Sequence, residues 1–101
     1  LASSNIQSRT EVLNQTPNLK QNQPNPFNEN TTIQYYLPEA TQQASVNISD
    51  INGKVIKVIP LQGTGQGQIE LQTGTLGGGI YAYSLVVDGQ IVESKQMVLT
   101  K

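Results

Sequence analysis

Gly79-Ile80-Tyr81-Ala82-Tyr83-Ser84-Leu85-Val86-Val87-Asp88-Gly89-Gln90-Ile91-Val92 reads as a β-hairpin. Tyr81, Tyr83, Leu85 and Val87 recur at every second position, the period that puts alternate side chains on one face of a strand. Asp88-Gly89 interrupts the run with a pair that accepts positive φ, as a two-residue hairpin turn requires. The last strand is predicted from Ile91 to Leu99, with Val92, Ser94, Gln96 and Val98 on one face. Ile91, Lys95, Met97 and Leu99 take the other. Before the hairpin, Gly77-Gly78-Gly79 predicts a break or bulge, with Gly79 allowing close backbone approach.

Moving outward, the same period returns. Ile33, Tyr35 and Leu37 alternate with Thr32, Gln34 and Tyr36, and Pro38-Glu39-Ala40-Thr41 ends that strand. Val46 and Ile48 form the next. Asn52-Gly53 predicts a tight turn into a return strand from Val55 to Ile59, closed by Pro60. Gly63 to Gly67 reads as a loop, and Ile69 and Leu71 as a short strand. Six or seven short strands at regular spacing, with turn signals between them and no helical period, predict an antiparallel β-sandwich. Tyr35, Tyr81 and Tyr83 are in phase with aliphatic residues and are predicted inward, whereas Tyr36 is out of phase and predicted exposed.

The chain divides at its start. Residues 1–18 are polar with little apolar spacing and read as a linker or the tail of an upstream region. Residues 19–101 carry the strand pattern. One domain of 101 residues has a thin core, and apolar residues make up only 36%. Charged residues are 13%, about half the usual share. Polarity comes from neutral side chains, with 13 Gln, 9 Asn, 9 Thr and 7 Ser.

These numbers exclude several functions. A net charge of −1 leaves no electrostatic footprint for nucleic acid or an anionic membrane. The chain has no Cys and no His, so the thiol nucleophile, the commonest general base and most transition-metal sites are missing. Seven carboxylates are spread singly; Asp50 and Asp88 each precede a turn and are read as turn residues, with calcium ligation the lesser alternative. No apolar run is long enough to span a bilayer as a helix. No catalytic residue, metal ligand set or cofactor is assigned, and the chain is not expected to be an enzyme.

Two segments stand out. Pro24-Asn25-Pro26-Phe27-Asn28 precedes the first long strand. Its prolines fix φ and remove two donors. Phe27 is placed to plug the open end of the sandwich, and Asn25 and Asn28 to bond nearby backbone in Asx turns. The segment reads either as a lead-in turn or as a recognition element. The second is Lys95-Gln96-Met97-Val98-Leu99-Thr100-Lys101, which ends the given chain. Its lysines read either as solubilising charges on an edge strand or as residues bound by a partner. A domain with its strongest signals at its two ends is expected to have its C-terminus read by something.

Several pieces, taken in order, resemble one family. They are Leu19-Lys20-Gln21-Asn22-Gln23-Pro24-Asn25-Pro26-Phe27-Asn28, Thr32-Ile33-Gln34-Tyr35-Tyr36-Leu37-Pro38, Val46-Asn47-Ile48-Ser49-Asp50-Ile51-Asn52-Gly53-Lys54-Val55, Leu76-Gly77-Gly78-Gly79-Ile80-Tyr81-Ala82-Tyr83, Asp88-Gly89 and Lys95 to Lys101. Together they resemble the C-terminal sorting domain of proteins exported by the type IX secretion system of Bacteroidetes-type bacteria. The resemblance implies an immunoglobulin-like sandwich of about seven strands, attached to a cargo, with no catalysis. It implies passage through the periplasm and an outer-membrane translocon with its shuttle components, to the cell surface or medium. It also implies removal by a sortase-like surface peptidase near the domain's N-terminal boundary, in residues 1–20. The family often has a second basic residue after the lysine at position 95, where this chain has Gln96. On this reading Lys95, Met97, Val98 and Lys101 are recognition residues, and Pro24, Asn25, Pro26, Phe27, Asn28, Gly79 and Tyr81 carry the family pattern. A reading from another class is a fibronectin-like spacer or carbohydrate-binding module of a secreted protein.

Overall fold

In-phase apolar residues form two antiparallel sheets in the structure, a computed structural model that describes residues 16–101. Seven strands follow in order: β1 (Asn18–Leu19), β2 (Asn30–Leu37), β3 (Ala44–Ser49), β4 (Val55–Pro60), β5 (Gly65–Gln72), β6 (Gly79–Val87) and β7 (Gln90–Leu99). The sheets run β1-β2-β5 and β4-β3-β6-β7. The fourth strand stays beside the third, and the chain then crosses to the smaller sheet. This is an all-β sandwich of the predicted immunoglobulin-like kind, and no helix occurs among the described residues. The linker expected at residues 1–18 lies outside the described residues up to position 15, and β1 already begins at Asn18.

The core is built from the period-two residues. Ile33, Leu37, Val46, Ile48, Leu71, Tyr83, Leu85, Met97 and Leu99 are buried, joined by Leu19 and Phe27 from the segment that precedes β2. Tyr35, Ile69 and Tyr81 are half-buried against this core, not fully inside it. Tyr36 is also half-buried, not exposed as its phase predicted.

Two turns repay comparison. Val87 pairs with Gln90 across Asp88 at φ 50° and Gly89 at φ 85°, the two-residue turn that the sequence predicts. At Asn52-Gly53 only Gly53 has positive φ, at 86°. Gly53 N–H bonds Asp50 C=O, and Asp50 N–H bonds Lys54 C=O, so the connection holds Ile51, Asn52 and Gly53. Asp50 Oδ1 accepts the N–H groups of Asn52 and Lys54. The residues read as a loop up to Gly67 shorten, because β5 begins at Gly65.

Candidate functional site

The two segments singled out in the sequence meet at one corner. After a single bridge from Gln23 to Thr32, the backbone passes Pro24 and Pro26, and Phe27 then pairs in parallel with Leu99. The Gln23–Pro24 and Asn25–Pro26 peptide bonds are both cis. Phe27 N–H donates to Val98 C=O at 3.0 Å, and Thr100 N–H donates to Phe27 C=O at 2.8 Å. The Phe27 ring is buried, as expected of a plug. Asn25 departs from expectation. Its Oδ1 accepts the N–H of Val98 at 2.9 Å, a long-range bond and not a local Asx turn. Gln21 Nε2 donates to Gln96 C=O at 2.7 Å. Even-numbered residues of β7 thus direct their outward backbone groups to the segment before β2.

β6 supplies the floor of the corner. Gly79 stands opposite Leu99 and Tyr81 opposite Met97. Gly79 has φ 150°, a conformation that favours glycine. The Tyr81 hydroxyl donates to Gly77 C=O at 2.6 Å and fixes the glycine run. A Cβ on Gly78 would stand 3.2 Å from the Lys101 backbone N and O, so the absent side chain lets the C-terminal residues come close. Lys101 Nζ donates to the carbonyls of Gly74 and Leu76, each at 2.8 Å.

Pro24, Asn25, Pro26, Phe27, Asn28, Gly79, Tyr81, Met97, Val98 and Lys101 therefore share this corner. Pro24, Asn25, Pro26, Asn28 and Lys101 are exposed, Val98 is half-buried, and Phe27 and Met97 point into the core. Lys95 stands apart, opposite Tyr83 midway along β7. Its ammonium is 3.3 Å from Glu93 Oε2. At such exposure the ion pair is worth at most about 1 kcal/mol. Glu93 Oε1 accepts the N–H of Leu19 at 2.9 Å and ties β1 to β7.

The sequence reading passed over the residues that hold the preceding segment in place. Asn22 is buried; its Nδ2 donates to Thr31 Oγ1 and Pro24 C=O. Its N–H donates to the Tyr83 hydroxyl at 2.8 Å, and that hydroxyl donates to Lys20 C=O at 2.8 Å. Burial raises the Tyr83 pKa above the usual tyrosine value, opposed by the bond from Asn22 and reinforced by the Glu93 charge. The detectable signal was Asn22 itself, a polar residue between Leu19 and Phe27 in a stretch whose apolar neighbours are buried.

The profile of the secretion system C-terminal sorting domain matches residues 23–100, a range that begins just before the Pro24–Asn28 segment and ends on the final strand. No curated protein matches the chain. Among solved structures it is similar to Pseudomonas fluorescens alkylpurine DNA glycosylase AlkC bound to DNA containing an abasic site analog, at 16% identity and a TM-score of 0.43. That alignment covers 84% of this chain and 30% of the other, and at this level it carries no functional argument.

Proposed function

The chain belongs to the secretion system C-terminal sorting domain family, and from that membership we propose how its corner serves type IX export. The domain carries an attached cargo through the periplasm to the outer-membrane translocon, which reads the folded corner and not an extended tail. The observation that supports this is the bonding of Phe27 and Asn25 to Val98 and Thr100. Because of it, Pro24, Asn25, Pro26, Asn28, Val98 and Lys101 form one composite surface, while Phe27, Met97, Gly79 and Tyr81 hold it in shape. Lys95 contributes positive charge from the adjoining edge. A sortase-like surface peptidase then cuts within residues 1–20, on the N-terminal side of β1.

The test places residues 1–101 behind a reporter with its own inner-membrane signal, in a host with type IX machinery. Reporter is expected on the cell surface or in the medium. Retention in the periplasm with a folded domain attached would refute the reading. Lys101→Glu should slow export while thermal unfolding shows the sandwich intact, since Lys101 is exposed and bonds only carbonyls at the surface.

A further inference from the structure

Among the described residues the sandwich has four edge strands, and three of them are guarded against pairing with another chain. β1 is two residues long and bonded to Glu93 of β7. β7 has a register shift opposite Leu85 and Val86, charged Glu93 and Lys95 in phase with the buried Met97, and Gln21, Asn25 and Phe27 along its last residues. β4 has a register shift opposite Ile48 and Ser49, a lysine at position 57 in the inward phase, and Pro60 without an N–H. Short edges, bulges, inward charges and proline are the known defences of sheet edges.

β5 has none of them. It pairs with β2 over eight consecutive residues without a shift, and Glu70 is its only charge. On β2, Thr32 and Gln34 direct their backbone groups toward Gln23 and Lys20, on the side away from β5. The odd-numbered residues of β2 therefore serve β5, and the odd-numbered residues of β5 answer them. This leaves the N–H and C=O groups of Gln66, Gln68, Glu70 and Gln72 directed outward, with no partner among the described residues.

Among the described residues, nothing pairs with this edge, and the sheet order leaves a position there for one more strand. The smaller sheet has three strands and the larger four, and β1 lies against β7. By strand order β5 then lies opposite β3, and among the described residues no strand lies opposite β4. Burial falls off accordingly. Val46 and Ile48 on β3 are buried, but their neighbours on β4, Ile59 and Lys57, are half-buried and exposed. The Tyr35 ring lies where a side chain on Gly67 would be, with its Cζ 2.5 Å from an ideal Cβ there, and adds an aromatic wall.

We propose that the β5 edge binds a single extended segment of another polypeptide, which pairs antiparallel along Gln66–Gln72 and covers the inner face of β4. Alternate side chains of the segment are apolar, toward Tyr35, Ile69 and Ile59. The others lie beside Gln66, Gln68 and Gln72 and are neutral and polar, with a basic residue favoured opposite Glu70. A second copy of the chain does not fit. Antiparallel pairing of β5 with its own copy keeps both larger sheets on the same side, so β4 of one copy and β3 of the other would occupy the same layer. This inference does not depend on the sorting reading.

The test titrates the full chain with the capped peptide Asn-Val-Thr-Val-Arg-Val-Thr-Val-Asn and follows assigned backbone amides by NMR. Shifts are expected at Gln66, Gln68, Glu70 and Gln72, with amide exchange there slowed about tenfold or more. Gln68→Pro removes one outward donor without touching the β2 ladder and should abolish binding. Val58→Pro on the guarded β4 edge should leave it unchanged. The same peptide N-methylated at alternate residues should not bind, a control that needs no change in the protein. The proposal is overturned if the parent peptide shifts none of these amides at ~1 mM, if the N-methylated peptide binds equally well, or if shifts centre on β4. It is also overturned if the free protein dimerises through these amides. Protection already present in the free chain and lost when residues 1–15 are removed would assign the place to the chain's own segment, and would likewise overturn it.

Discussion

Tyr83 carries two roles in one side chain. Its ring fills the centre of the core, and its hydroxyl joins Asn22 N–H to Lys20 C=O. Tyr83→Ala should cost roughly 3–5 kcal/mol, in the range of large aromatic truncations. Tyr83→Phe keeps the ring and strips the hydroxyl, leaving the Asn22 N–H without its partner, and should cost about 1–3 kcal/mol. Denaturant unfolding of the two variants separates ring from hydroxyl; equal stability of Tyr83→Phe and wild type would show that the hydroxyl contributes nothing. The sign of the pH effect follows from the raised pKa. The folded state keeps the phenol proton at pH values where the unfolded chain has lost it. That stabilising contribution is complete below about pH 10, the ordinary tyrosine value, and is lost as pH rises through the folded pKa. Unfolding midpoints measured from pH 8 to 11 should therefore drop at the alkaline end, and the drop should vanish in Tyr83→Phe.

At the scale of elements, the segment from Leu19 to Asn28 behaves as an extra strand without regular pairing. Phe27→Ala should cost about 3–5 kcal/mol because its ring is buried in the core. Asn25→Ala frees an exposed Val98 N–H that water can satisfy, so its cost should be under about 1.5 kcal/mol. Thermal melting of the pair tests the ordering, and a larger loss for Asn25→Ala would contradict it. Most of the strands were legible because burial on one face imposes a period of two, and Tyr83, Leu85, Val46 and Ile48 obey it. The half-buried state of Tyr36 was not legible, since residues from β1 and β5 flank it and sequence phase sees only its own strand. The long reach of Asn25 was hidden for the same reason. Its side chain could as well have bonded its own backbone, and only the fold brings Val98 within 2.9 Å.

For the molecule as a whole, the sheets differ in number and in finish. Removing Gln96–Lys101 takes away Met97 and Leu99, both buried, along with every bond to Phe27. Such a truncation should abolish the cooperative unfolding transition, so loss of export in that variant reports folding and not recognition. Circular dichroism of the truncated chain checks this: a native-like strand spectrum with an unchanged melting point would mean that the corner is dispensable to the sandwich. The corner was half legible in the sequence. Its two segments were picked out, but nothing in their order along the chain said that they touch.

That contact joins residue 27 to residues 98 and 100 and sets a condition on synthesis. As the polypeptide leaves the ribosome, Phe27 emerges before β7 and cannot bond Val98 and Thr100 until that strand follows. Closing so long a loop is entropically demanding and makes the final step of folding non-local. A product terminated before Val98 lacks both backbone partners of Phe27 and the buried Leu99. The tie between the segment before β2 and β7 thus makes completion of the sandwich conditional on synthesis of β7, because only then does the Phe27 backbone gain its partners.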